Sequence, residues 1–143
     1  MGRQAVIVID MLNDFIYGKL KCERALKIIP NIKKLIEEAR RHDVPVIYAN
    51  DSHIPQVDFE LKKWGPHAIK GTKGAEVIDE LKPTEKDYVI EKRRYSAFYE
   101  TGLDLLLREL NIDTLILTGI PVSYTHLRAH ETSLHLVCRL LLE

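Results

Sequence analysis

AVIVIDMLNDF, residues Ala5 to Phe15, decides the fold. Its first five residues are apolar and mostly β-branched. They are too few for a free-standing helix and lack half-exposed alternation, so they read as a strand buried on both faces. The run stops at Asp10. In an open parallel α/β sheet the carboxyl ends of the strands form the edge where ligands and chemistry collect, which makes Asp10 the first candidate site residue.

Working outward, Asn13 to Lys21 contains Gly18 and no sustained apolar period, and reads as a loop. Pro30 suits the opening of a helix, and Ile32, Leu35, Ile36 and Ala39 follow at helical spacing. VPVIYAN, Val44 to Asn50, is a second buried strand that runs into Asp51, completing a right-handed βαβ unit. A long connection, Ser52 to Lys73, follows, and loops of that length in compact domains are often functional. A short helix over Ala75 to Leu81 leads to a third strand, Tyr88 to Glu91, ending at Lys92. Thr101 reads as the N-cap of a helix over Leu103 to Leu110, and TLILTG, Thr114 to Gly119, is the fourth strand.

The 143 residues are enough for one domain, and 21 basic against 21 acidic residues give a formal net charge of zero. That balance offers no basic footprint for nucleic acid and no electrostatic membrane anchor, and no apolar run reaches the roughly 18 residues of a membrane span. A soluble, cytoplasmic protein with a small-molecule or protein partner is expected. Cys22 and Cys138 form neither a disulfide framework nor a CxxC pair, and Cys138, in LHLVCRLLL, reads as a helix core position.

Four strand ends thus bring polar groups to one edge: Asp10, Asp51 with His53, Lys92, and the turn from Thr118 to Ile120. Asp51, His53 and His67, the last in WGPH on the long loop, are ligand types suited to Zn²⁺, Fe²⁺ or Mn²⁺, with positions left open for water or substrate. Spacing alone serves a capped turn with two exposed histidines equally well. A phosphate-transferring domain with Asp10 as nucleophile is set aside, because such enzymes place a second Asp two residues on, where this chain has Leu12.

AVIVIDMLNDF, NDSH, WGPHAIKGTKGAEVIDEL, VIEKRRYSAFYETGLDLLL and TLILTGI, in that order, resemble the isochorismatase-like cysteine hydrolases, which include nicotinamidases and N-carbamoylsarcosine amidases. The resemblance covers Ala5 to about Ile120. It implies an α/β three-layer sandwich with a parallel sheet, here as its first four strands in the order 3-2-1-4, and hydrolysis of a small amide by an Asp-Lys-Cys triad. Carried over, Asp10 is the base and Lys92 the cation that stabilises the thiolate, while Asp51, His53 and His67 match the ligands of a divalent metal, Zn²⁺ foremost. The turn at Ile120 and Pro121 matches the oxyanion turn, and a homo-oligomer is implied for the intact family member. The nucleophile slot holds Thr125 instead of Cys. The alternative is a metal- or ligand-binding member without turnover.

Composition changes after Ile120. Pro121 to Glu143 contains no Ile or Lys and three of the six histidines. Residues 1–120 are therefore read as the hydrolase-like domain. Residues 121–143 are read as a tail foreign to it, because SYTHLRAHETSLHLVCRLLLE resembles an adapter read-through found at the ends of unrelated translated fragments; the alternative is a natural variant ending in a leucine-rich amphipathic helix that covers the exposed sheet edge. His126, His130 and Glu131 share a helical spacing but not the order of the HExxH zincins, so no site is assigned to them.

Overall fold

The computed structural model describes residues 2–18, 20, 21 and 23–120, together with the backbone of residues 137–140. The elements are β1 (Arg3–Ile9), α1 (Asn13–Ile16), α2 (Glu23–Arg41), β2 (Val46–Asp51), α3 (Phe59–Trp64), β3 (Tyr88–Lys92), α4 (Leu103–Glu109), β4 (Ile112–Gly119) and β5 (Val137–Leu140). All strand pairs are parallel and the order is β3-β2-β1-β4-β5.

Alternation along the strands builds two cores. Val6 and Val8 of β1 and Val46 and Tyr48 of β2 face α2, meeting Ile28, Ile32, Ile36 and Ala39. Ala5, Ile7, Ile9, Ile47 and Ala49 point the other way, with Leu115 and Leu117, onto Leu103 and Leu107 of α4. Both faces of β1 and β2 are buried, which is why these strands are continuous apolar runs rather than alternating ones. Helix, sheet and helix form the three layers.

Four expectations are corrected. The helix does not open at Pro30 but at Glu23, with Pro30 exposed in its interior. Ala25 and Ile28 extend the buried stripe of Ile32, Ile36 and Ala39 toward the N-terminus, and that burial offsets the backbone bond a proline forfeits. The Asn13–Lys21 loop begins with the single turn of α1. In place of a helix over Ala75 to Leu81 there are two 3₁₀ turns, Lys73–Ala75 and Asp79–Leu81. Between them the backbone pairs elsewhere: Asn13 N–H donates to Glu76 C=O (3.0 Å) and Ile78 N–H to Met11 C=O (3.0 Å). Finally, the sheet has a fifth strand, and Cys138 lies on it rather than in a helix, with its backbone in register with Leu115. Without β5, β4 would leave a row of backbone donors and acceptors unpaired at the sheet edge.

Thr101, expected as the cap of α4, stands one residue before the cap position, which Gly102 holds, although the Thr101 hydroxyl still accepts the Leu103 N–H at 3.3 Å.

Candidate functional site

Where β1 ends, Asp10 takes a left-handed backbone conformation (φ 53°), rare for a non-glycine residue. Its amide donates to Ala49 C=O at 3.1 Å, and its Oδ1 accepts the Asp51 N–H at 2.9 Å, so the exits of β1 and β2 are joined through this residue. Lys92 closes the group from β3. Its side chain is 1% exposed, and Nζ lies 3.0 Å from Asp10 Oδ2 and 2.5 Å from Asp51 Oδ1. Its remaining acceptor, the Arg94 carbonyl, is at 3.4 Å. Burial pushes the Lys92 ammonium toward neutrality, but Asp10 and Asp51 outweigh it and hold the group above the ordinary lysine range. Burial likewise pushes the Asp51 carboxyl up, and Lys92 draws it down to a net position below the usual carboxylate range.

The second oxygen of Asp51 faces another cluster. One donor atom each from Asp51, His53, Glu60 and His67, all four buried, lie within 4.8 Å of one another. His53 Nε2 is 3.6 Å from Asp51 Oδ2 and 3.7 Å from Glu60 Oε2. The two imidazoles meet edge to face with centroids 4.8 Å apart. A backbone ladder brings His53 and His67 together: His53 N–H donates to Ala68 C=O (2.8 Å) and Lys70 N–H to His53 C=O (2.9 Å). Asp14 of α1 holds the same loop by accepting the Ala68 N–H at 2.8 Å.

Both histidines use Nδ1 away from the cluster, His53 toward Asp58 Oδ2 (3.1 Å) and His67 toward the Gly65 carbonyl (2.7 Å). A carbonyl only accepts, so His67 carries its proton on Nδ1 and keeps a lone pair on Nε2. His53 Nε2 and Glu60 Oε1 have no hydrogen-bond partner although both are buried. Two imidazoles, two carboxylates and orphaned acceptor atoms suit a divalent cation of the zinc, iron or manganese type. Burial and the neighbouring Asp51 raise the Glu60 carboxyl, as expected for acceptors gathered without a counter-charge.

A cavity of about 190 Å³ opens over this edge, with Asp10, Asp51, Glu60 and His67 at its polar end and Phe15, Trp64 and Ile120 among its walls. Trp64 Nε1–H donates to the Tyr95 hydroxyl at 2.7 Å, fixing one wall. Ile120 is tied to β1 by its N–H, which donates to Ile9 C=O at 3.0 Å. A larger hollow of about 680 Å³ lies at the opposite ends of the strands, beside Arg3, Val46 and Tyr88. There Arg40 and Asp87 are already paired at 2.5 Å, and no metal-binding cluster adjoins them among the described residues.

Of the residues singled out in the sequence, Asp10, Lys92, Asp51, His53, His67 and Ile120 therefore share one edge of the sheet. Pro121, Thr125, Cys22, His126, His130 and Glu131 lie outside the described residues. Asp58, Glu60 and Arg93 were not foreseen. In QVDFELKK the two acids resemble ordinary charges at a helix start, and only the inverted seating of α3, with Phe59 68% exposed and Glu60 7%, reveals their direction.

A family model for the isochorismatase domain matches residues 4–129. The isochorismatase family protein YaaI of Bacillus subtilis is 34% identical over 120 residues, which cover 82% of this chain, and the chain spans only 65% of the length of that relative. Among solved structures, N-carbamoylsarcosine amidase from Thermoplasma acidophilum superposes with a TM-score of 0.91 at 42% identity, covering 97% of this chain and 81% of that one. Nicotinamidase/pyrazinamidase PncA from Bacillus subtilis superposes with a TM-score of 0.86 at 33% identity, covering 96% and 84%. The strand order, the polar strand exits and these matches agree: the chain belongs to the isochorismatase family of hydrolases.

Proposed function

We propose that this chain carries the acid–base and metal-binding half of a small-amide hydrolase, and that with Thr125 in the nucleophile slot it binds but does not turn over. The observation that carries the reading is the buried Lys92 ammonium shared by Asp10 and Asp51, two carboxylates that line the polar end of an open cavity. Buried charges held at that cost, in a pocket of this kind, are more readily explained by chemistry than by stability. The two solved relatives, named for an N-carbamoyl amide and for nicotinamide, suggest the substrate class.

In a family member with a thiol at position 125, Asp10 accepts the thiol proton and Lys92 favours the thiolate. Sulfur attacks the amide carbonyl, and the C–N bond breaks. The amine leaves with the proton returned by Asp10, and water then cleaves the thioester to the acid and the free thiol. A threonine hydroxyl stays protonated in the same field, because its proton is far less acidic than that of a thiol. Asp51, His53, Glu60 and His67 would hold a divalent ion, which would supply Lewis-acid polarisation and orientation of a polar substrate atom or water.

The test compares three proteins on nicotinamide and on N-carbamoyl amino acids: the chain as given, Thr125→Cys, and a chimera whose residues after Ile120 come from an intact relative. A thiol also has to sit within about 0.5 Å of its productive position, so only the chimera is expected to be active. Turnover by the unmodified chain would refute the assignment of position 125. A folded but inactive chimera would refute the competence of the Asp10 and Lys92 half.

A further inference from the structure

We propose that Asp58, gripped by Arg93, is the positioning residue that keeps the His53 proton on Nδ1 and so leaves Nε2 as a metal-ligating atom. The inference rests on the metal-binding reading above.

Asp58 stands immediately before α3, where a carboxylate ordinarily caps the helix, yet its side chain makes no capping bond there. It turns back instead, fully buried, and collects donors on both oxygens. Oδ2 accepts the Ile54 N–H at 2.9 Å and lies 3.1 Å from His53 Nδ1. Oδ1 accepts Arg93 Nε–H at 2.7 Å, with Arg93 Nη2 also in contact. The amide and the guanidinium can only donate, so both carboxylate oxygens act as acceptors, and the imidazole nitrogen that meets one of them carries the hydrogen. In the neutral ring the lone pair is then on Nε2.

That lone pair points into a closed space. His53 is 0% exposed, its Nε2 has no hydrogen-bond partner, and the nearest acidic oxygens are those of Asp51 and Glu60 at 3.6 and 3.7 Å. A lone pair facing two carboxylates is unfavourable unless a cation lies between them. The carboxylate–imidazole–metal series is a recurrent way of fixing both the tautomer and the orientation of a ligating histidine. Asp58 does not line the cavity. Its burial is therefore explained by what it does to His53 rather than by contact with substrate.

Arg93 extends the arrangement. It follows Lys92 directly, so the exit of β3 delivers an ammonium to Asp10 and Asp51 and a guanidinium to Asp58 from two consecutive residues. The half-exposed Arg93 neutralises the buried carboxylate from outside, which lets Asp58 accept from His53 without becoming an uncompensated charge.

The experiment uses the full chain, labelled with ¹⁵N-histidine and freed of metal with a chelator. In the wild type, His53 is expected to show a protonated Nδ1 whether or not Nε2, which faces Asp51 and Glu60, takes up a second proton once metal is removed. His67, held by the Gly65 carbonyl, serves as an internal reference. Asp58→Ala removes the acceptor, so His53 should move to the Nε2–H form while His67 is unchanged. Zn²⁺ affinity, measured by competition with a chromophoric chelator, should fall by about 10- to 100-fold. Arg93→Gln leaves the acceptor in place and should keep the wild-type tautomer. A purely structural Asp58 would lower the melting temperature without moving the His53 tautomer. A His53 that carries no proton on Nδ1 in the metal-free wild type overturns the proposal, and that spectrum depends on no variant folding. So does a folded Asp58→Ala that keeps wild-type Zn²⁺ affinity. A wild type with the expected tautomer that takes up no Zn²⁺ overturns the metal reading itself, a result distinguishable from the other two.

Discussion

Replacing Lys92 with methionine removes one cation from between two carboxylates and fills the same space with an apolar side chain. Lys92 Nζ bonds Asp10 at 3.0 Å and Asp51 at 2.5 Å, and all three groups are buried. Breaking a buried pair by deleting one partner costs about 3–5 kcal/mol, a large share of the roughly 5–15 kcal/mol that stabilises a domain. At pH 8 in the presence of chelator, the variant should therefore lie about 3–5 kcal/mol below the wild type in urea unfolding. The penalty should shrink in acid. With the ammonium gone, two facing carboxylates cannot both stay ionised, so the folded variant holds one proton that the unfolded chain, with aspartates near 3.9, has released. A carboxyl raised in this way loses stability as pH rises above its unfolded value and regains it as pH falls. Each pH unit returns about 1.4 kcal/mol, so at most about 3 kcal/mol is recovered between pH 8 and pH 5.5. In the wild type Asp51 is held low and Lys92 high, and neither titrates in that window. A difference below about 1 kcal/mol at pH 8, or one that widens toward pH 5.5, would refute the reasoning that a desolvated ion network holds these three strand exits together.

Two further substitutions probe the frame around the site. Gly119 has φ +114°, and a Cβ there would lie 2.2 Å from the Ile9 carbonyl oxygen, so Gly119→Ala should lose at least about 2 kcal/mol in urea unfolding, whereas a loss under about 0.5 would contradict the close approach of β1 and β4. The buried Tyr48 hydroxyl donates to Leu81 C=O at 2.7 Å, and Tyr48→Phe should cost about 1–2 kcal/mol at pH 8 by leaving that carbonyl unpaired. Burial raises this phenol to about 12, so the wild type gives up stability above about pH 10 while the phenylalanine variant does not. The gap between them should close from pH 8 to pH 11, and a constant gap would argue against the raised value.

The parts of the fold that could be read in advance are those where a single local signal decides. AVIVI and the β2 part of VPVIYAN are buried on both faces and TLILTG mainly on one, so their apolar runs survive as strands, and the residue that ends each run marks the sheet edge. Asp10 and Asp51 were legible for that reason, and Lys92 as the residue that ends the third strand. Glu60 was not, because its burial depends on how the single α-helical run Phe59–Trp64 is seated, and that seating places an aromatic ring outward and a carboxylate inward against the usual pattern. Asp58 was hidden for a related reason: an acid before a helix already has a local explanation as a cap, and only the three-dimensional structure shows the side chain turning to His53 and Arg93. The start of α2 and the pairing of β5 were missed because tertiary burial and backbone pairing overruled a local proline signal and a leucine-rich helical period.

The sheet order has a consequence for how such a protein can change over generations. β1 lies at the centre, β2 and β3 flank it on one side, and β4 and β5 flank it on the other. Among the described residues, the carboxylates, imidazoles and ammonium of the site come from the exits of β1, β2 and β3 and the loops between these strands, while the β4 side contributes Gly119 and Ile120. On the function proposed above, the acid–base and metal-binding groups and the nucleophile slot at position 125 are thus inherited on separate halves of one sheet. A lineage can discard the reacting group without disturbing the ion network that holds the other half. The same lineage can later receive a different reacting segment on a scaffold whose electrostatics are already set.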